Sequence, residues 1–344
     1  MHVFKNTFAV FMVVVCLSAS ANETDGRSGK TNSKRENVAQ KAVKNFNSAS
    51  RKKRVEPTFS FSLPAQNLGL TIKQAAAQMG ANLVLMNGLE TTPFNETTFE
   101  KATEEELCEQ IALQARLEMK EMGSYRFFYP MEYASLVNSK SNGQWPSEYT
   151  ENKFGLSFGA DTPLAFILAT LGKSLGMTFL ADHTISGSLC GEIAIAEATV
   201  PDALSALLLS ARIPSESIRF ETSADAIFVH SARNLKRPNY RIQGTTATND
   251  GALTENCTIN LLDNGFDHSK LGTGFKKLSE IAGVLSEQLG YTIEYDPSLR
   301  DFPVTPMYMH NIPRKVALEL ILWQWPVPQF GYSIEKNAVH FGRF

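Results

Sequence analysis

Six histidines and four cysteines are the residues of this 344-residue chain with the chemistry to hold a metal or act as a nucleophile. A zinc site needs ligands a helical turn or a tight loop apart, because the metal gathers them into one small shell. His183, His230, His268, His310 and His340 are instead scattered, with no HExxH and no CxxC. His230 and His340 read as strand residues in comparable places of two hairpins. Ser157, Ser186 and Ser188 lack the G-x-S-x-G setting of a nucleophile elbow. No GxxxxGK[ST] phosphate loop occurs, and Gly272-Thr273-Gly274 reads as a turn. The run Glu104-Glu105-Glu106 reads as a first helical turn, where negative charge meets the helix dipole. No metal, no cofactor and no catalytic residue is expected, so the chain is read as non-catalytic.

One aromatic cluster stands out, Trp323-x-Trp325 beside Pro326 and Pro328, with Phe330 and Tyr332 just beyond. Interfaces favour aromatic anchors, which makes Trp323, Trp325, Phe330 and Tyr332 the candidate partner interface. The same residues also suit packing of a helix onto its sheet, and both readings stand at this point.

The elements that must position such residues begin with an export signal. Lys5, the apolar run Phe8 to Leu17 and the small residues Ala19-Ser20-Ala21 form a signal peptide over 1–21. Cys16 would be a lipidation site, but Val13-Val14-Val15 lacks the small residue wanted before it. The mature chain is expected in the periplasm or at the outer membrane, with no transmembrane segment. Residues 22–57 are rich in Ser, Asn, Lys and Arg and read as a disordered basic linker, with Arg51-Lys52-Lys53-Arg54 at its end. The hydrophobic content of 43% supports a folded remainder, while a net charge of −2 gives no global attraction to nucleic acid. Cys108, Cys190 and Cys257 remain after cleavage; an odd number makes no disulfide framework, and one Cys190–Cys257 bridge stays open.

Beyond residue 57 one pattern occurs three times. Counting back one, five, eight and twelve residues from Gly80, Gly176 and Gly290 gives Met79, Ala75, Ile72 and Leu68; Leu175, Leu171, Leu168 and Leu164; and Leu289, Leu285, Ala282 and Leu278. All are apolar at helical spacing. Alternating residues follow each glycine, and a second helix carrying Leu107, Leu204 or Leu318 comes 27 or 28 residues later. The repeat predicts an α+β fold of three tandem small modules at 58–133, 154–231 and 257–344, with linkers at 134–153 and 232–256. Each module reads strand-helix-strand-strand-helix-strand-strand, two helices packed on a short mixed sheet.

This pattern resembles the short N-terminal domain of secretins and TonB-dependent transducers. Phe61-Ser62-Leu63-Pro64-Ala65-Gln66-Asn67-Leu68 is similar to the family's opening F-x-I-P-A-Q-x-L. Ala203-Leu204-Ser205-Ala206-Leu207-Leu208 and Ala317-Leu318-Glu319-Leu320-Ile321-Leu322 are similar to its A-L-x-x-L-L helix, whereas Glu106-Leu107-Cys108-Glu109-Gln110-Ile111 departs from it. A secretin continues into a membrane gate and a transducer into a barrel; this chain ends on its third module, so it is expected not to be the pore. The resemblance implies a protein–protein interaction protein of the bacterial envelope, an accessory or arm-like part of a secretin-type secretion or pilus system. Its partner would be a secretin or other secretion component, with oligomers forming through module edges. A periplasmic signalling module of the transducer type, and an exported cell-wall or small-ligand binder, are the alternatives.

Overall fold

The computed structural model describes residues 57–138, 145, 147–214, 217–222, 226–231, 251–262, 275–325, 327 and 329–343. Residues 1–56, on which the signal-peptide and basic-linker expectations fall, lie outside them, as do His268 and Gly272-Thr273-Gly274. The fold is α+β.

The first unit runs β1 (Thr58–Leu63), α1 (Leu68–Met79), β2 (Leu83–Leu85), β3 (Thr97–Thr103), α2 (Glu104–Ala115), β4 (Glu118–Met122) and β5 (Tyr125–Tyr129). The second runs β6 (Lys153–Phe158), α3 (Leu164–Leu175), β7 (Thr178–Ala181), β8 (Ile193–Thr199), α4 (Val200–Ser210), β9 (Ile218–Thr222) and β10 (Ala226–Ser231). The third runs β11 (Asn256–Asn260), α5 (Leu278–Leu289), β12 (Thr292–Tyr295), β13 (Tyr308–Pro313), α6 (Arg314–Trp323), β14 (Phe330–Glu335) and β15 (Ala338–Arg343).

Local chemistry explains the boundaries. Gly80, Gly176 and Gly290 end α1, α3 and α5 at φ of 65°, 64° and 73°, a left-handed conformation that a Cβ disfavours. Thr103 and Glu106 form a capping box at the start of α2, and Thr199 caps α4 through the Asp202 N–H. The acidic run is therefore a helix start, and Glu104 also pairs with Arg126.

Pairing within each unit is the same. The first and third strands are antiparallel, and each pair shifts register at one equivalent place: between Phe59 and Phe61, between Ile195 and Ala198, and between Cys257 and Ile259. Such a bulge breaks period-two alternation, as it does within β8 (Ile193–Thr199). The second strand runs parallel to the last strand and the last two form a hairpin.

The expectation that each module owns its sheet is corrected by the strand order. One five-stranded sheet reads β4-β5-β2-β8-β6, so the antiparallel pair of the second unit extends the sheet of the first. Another reads β9-β10-β7-β13-β11, repeating the arrangement one unit later. Leu83 and Leu85 face the core of the first unit, whereas Val84, Met86 and Phe127 complete the core around α3 and α4. Leu180 and Phe228 likewise complete the core around α5 and α6. Because strand side chains alternate between faces, each shared sheet serves two cores.

The stretch read as a polar linker over 134–153 also differs. It holds short helices at Ala134–Val137 and Ser147–Glu151, and Val137 and Tyr149 are buried in the middle core. The few apolar residues of this polar stretch, Leu136, Val137, Trp145 and Tyr149, fall at no regular spacing and give no periodic signal.

Candidate interaction surfaces

The junctions are built from the position two residues past each helix-ending glycine. In the first unit that position is Asn82, whose Oδ1 accepts from the Ala196 N–H at 2.7 Å and whose Nδ2 donates to the Glu197 and Ser124 carbonyls at 2.8 Å each. In the second it is Thr178, whose hydroxyl accepts from the His310 N–H at 2.9 Å. Ala196 and His310 hold the same place in β8 and β13, so one polar device recurs. The strand register recurs as well: Leu83 opposes Ala194, and Phe179 opposes Tyr308. Counted from the shared bulge, Ala194 and Tyr308 are equivalent residues, as are Leu83 and Phe179 counted from their glycines.

Further side-chain and backbone contacts seal both junctions. At the first junction the Tyr125 hydroxyl and Ser205 Oγ are 2.9 Å apart, and Arg212 Nε donates to the Asn87 carbonyl at 2.9 Å. At the second, the Phe228 and Trp323 rings lie 5.6 Å apart and the His183 N–H donates to the Gln324 carbonyl at 2.7 Å.

This corrects the aromatic interface expected from the sequence. Trp325 is 1% exposed with its indole N–H donating to the Pro303 carbonyl at 2.6 Å, and Phe330 and Tyr332 are buried in the same core. Trp323 packs on the preceding unit through Phe228. Of the two readings that the sequence left open, packing is the one these side chains adopt.

Glu192, Glu90 and Asp161 lie at the first junction and His183 at the second, whereas His340 lies on the far face of the third unit. Glu192 is buried where β8 meets β2, its carboxylate 3.9 Å from Lys73 Nζ, and burial pushes its pKa up to about 7. Glu90 is raised by burial too, although its other carboxylate oxygen accepts from the Gly88 N–H at 2.8 Å. Asp161 receives Asn87 Nδ2 at 3.1 Å nearby. His183 is lowered by burial; His230 Nε2 stands 2.9 Å from Glu221, and His340 Nε2 stands 3.0 Å from Asp296. His340 opposes Glu294 as Phe228 opposes Leu180, so His340 corresponds to Phe228 and not to His230. No group of three or more His, Cys, Asp or Glu able to hold a metal occurs among the described residues. Cys108, Cys190 and Cys257 are free and buried, which closes the Cys190–Cys257 option; burial pushes the first two thiols up to about 12.

A shallow groove between β6 and α3, lined by Phe154, Leu156, Thr170 and Leu171, contains no carboxylate. No helix among the described residues is long and apolar enough to cross a membrane.

The α+β fold thus contains two five-stranded sheets, each assembled by strand addition between successive stretches of the chain. No family model matches the chain, and no curated protein matches it.

Proposed function

We propose that this protein is a non-catalytic protein–protein interaction scaffold of the bacterial envelope, an accessory or arm-like component of a secretin-type secretion or pilus system. The observation that carries the reading is the repeated junction, in which a strand of one unit adds to the sheet of the next in one register. A chain that twice accepts a foreign sheet edge in this way carries the backbone geometry for accepting another, which is the β-augmentation mode of recognition. The opening motif and the A-L-x-x-L-L helices supply the link to secretion machinery through their resemblance to secretin arms.

Chemical crosslinking of the mature protein in its native envelope, followed by affinity recovery, tests this. Recovery of a secretin or another secretion component is the expected result. Recovery of cell-wall glycan or a small molecule with no protein partner would overturn it.

A further inference from the structure

The two ends of the stack are not equivalent. In the second and third units, β8 and β13 each have a strand of the preceding unit on their outer edge. Their counterpart β3 pairs only with β1 among the described residues. The helix face beside it is open in the same way. Leu113 is 80% exposed and Gln110 and Gln114 are exposed, whereas the equivalent Leu209, Ala206 and Ser210 of α4 are buried beneath the first unit's sheet. In α6 the equivalent of Leu113 is Trp323, packed on Phe228.

We propose that this open face, the outer edge of β3 with the α2 surface around Leu113, takes the edge strand of a three-stranded sheet from a separate protein whose outward face is aliphatic and aromatic. Leu85 N–H donates to the Glu192 carbonyl at 2.9 Å, so Glu192 and, by alternation, Ala194 turn their backbone groups toward the incoming strand. Thr98 in β3 and Glu96 just before it are their counterparts, and the shared register turns the same groups outward. The incoming strand therefore opposes Thr97 and Thr98 as Val84 and Leu83 oppose Ile193 and Ala194.

The chemistry of the occupant follows from what covers the other units. Val84 with Phe127, and Leu180 with Phe228, form the outward faces that pack on α4 and α6. A second copy of this chain would have to present β12 and β15, where Glu294 and His340 hold those places. Burying that carboxylate against Leu113 costs desolvation, which the half-exposed His340 ring 4.0 Å away offsets only in part. The far end is thus closed by its own polarity, as in the terminal repeats of solenoids, and the near end is left for another polypeptide.

This inference rests on the interaction reading above, and a full-length graft tests it separately. The variant Glu294→Leu with His340→Phe gives the far face the Leu180 and Phe228 pattern, making each molecule a surrogate partner for the next. Such a head-to-tail contact does not close on itself, so light scattering after size exclusion is expected to show a concentration-dependent rise to dimers and longer chains. Adding Leu113→Glu should return it to monomer, as should Thr98→Pro, which removes one outward N–H. Hydrogen exchange should show Thr98 and Glu96 amides protected in the assembly. A graft that melts like wild type yet stays monomeric, or that assembles equally well with Leu113→Glu, would overturn the proposal; should the double graft not fold, His340→Phe alone is put through the same comparison. Head-to-tail self-assembly of the wild type would overturn the choice of a separate partner. In the envelope crosslinking, partner recovery that Leu113→Glu leaves unchanged would overturn this site while leaving the interaction reading intact.

Discussion

The outward faces of the second and third units use the same backbone for opposite ends. On β10, Phe228 is 2% exposed and packs with Trp323; on β15 the equivalent His340 is half-exposed beside Asp296 and Glu294. Asn82 and Thr178 each receive a neighbouring strand, whereas the equivalent Thr292 is exposed. Strand geometry therefore does not decide where the stack continues. The side chains on the outward face do, because only apolar ones gain by being covered.

The widest separation between the two faces is expected from truncation at one register. Phe228→Ala should lower unfolding stability by about 4 kcal/mol, the range for a buried aromatic, while His340→Ala should stay within about 1 kcal/mol of wild type. Chemical denaturation of the two variants side by side checks this, and equal losses would break the comparison.

Next in size is the buried carboxylate at the first junction. Below pH 4.5 Glu192 is protonated in folded and unfolded chains alike; between 4.5 and about 7 only the folded chain keeps the proton. Stability therefore falls as pH rises through that window and levels off above it. Glu192→Gln should flatten this slope and stabilise the protein at pH 8 by at most roughly 3 to 4 kcal/mol, the free energy that separates a carboxyl titrating at 4.5 from one titrating at about 7. A melting series from pH 4 to 8 measures it.

The polar staple gives a smaller contrast. Asn82→Ala leaves two carbonyls and two strand N–H groups without this partner and should cost about 2 kcal/mol, and Thr178→Val should cost about 1 kcal/mol. Thr292→Val, at the end with no neighbouring strand among the described residues, should change stability by less than about 0.5 kcal/mol. The smallest effect belongs to the open end: Leu113→Glu should leave the melting temperature unchanged, because its side chain is 80% exposed.

Much of the architecture was legible in local pattern. Helix stripes, the helix-ending glycines and the Thr103 capping box depend on neighbours within a few residues, and their spacing carried through to the coordinates. In the second helix of the first unit Leu107 and Cys108 are both buried, and it is Cys108 that lies 28 residues after its glycine as Leu204 and Leu318 do. A cysteine does not mark an apolar stripe as a leucine does. The Trp323 and Trp325 cluster was visible but its environment was not, because exposure depends on what a distant strand brings opposite.

What the sequence by itself determined is the α+β composition, the three-fold recurrence of the element order and the helix boundaries, all set by short-range sterics and periodicity. What only the tertiary structure decided is which strands share a sheet, and hence that Val84, Leu180 and Phe228 serve the unit after their own. A backbone edge offers the same N–H and C=O groups whatever its sequence. Its partner is selected by the faces that come together around it, and those faces are assembled from residues far apart in the chain.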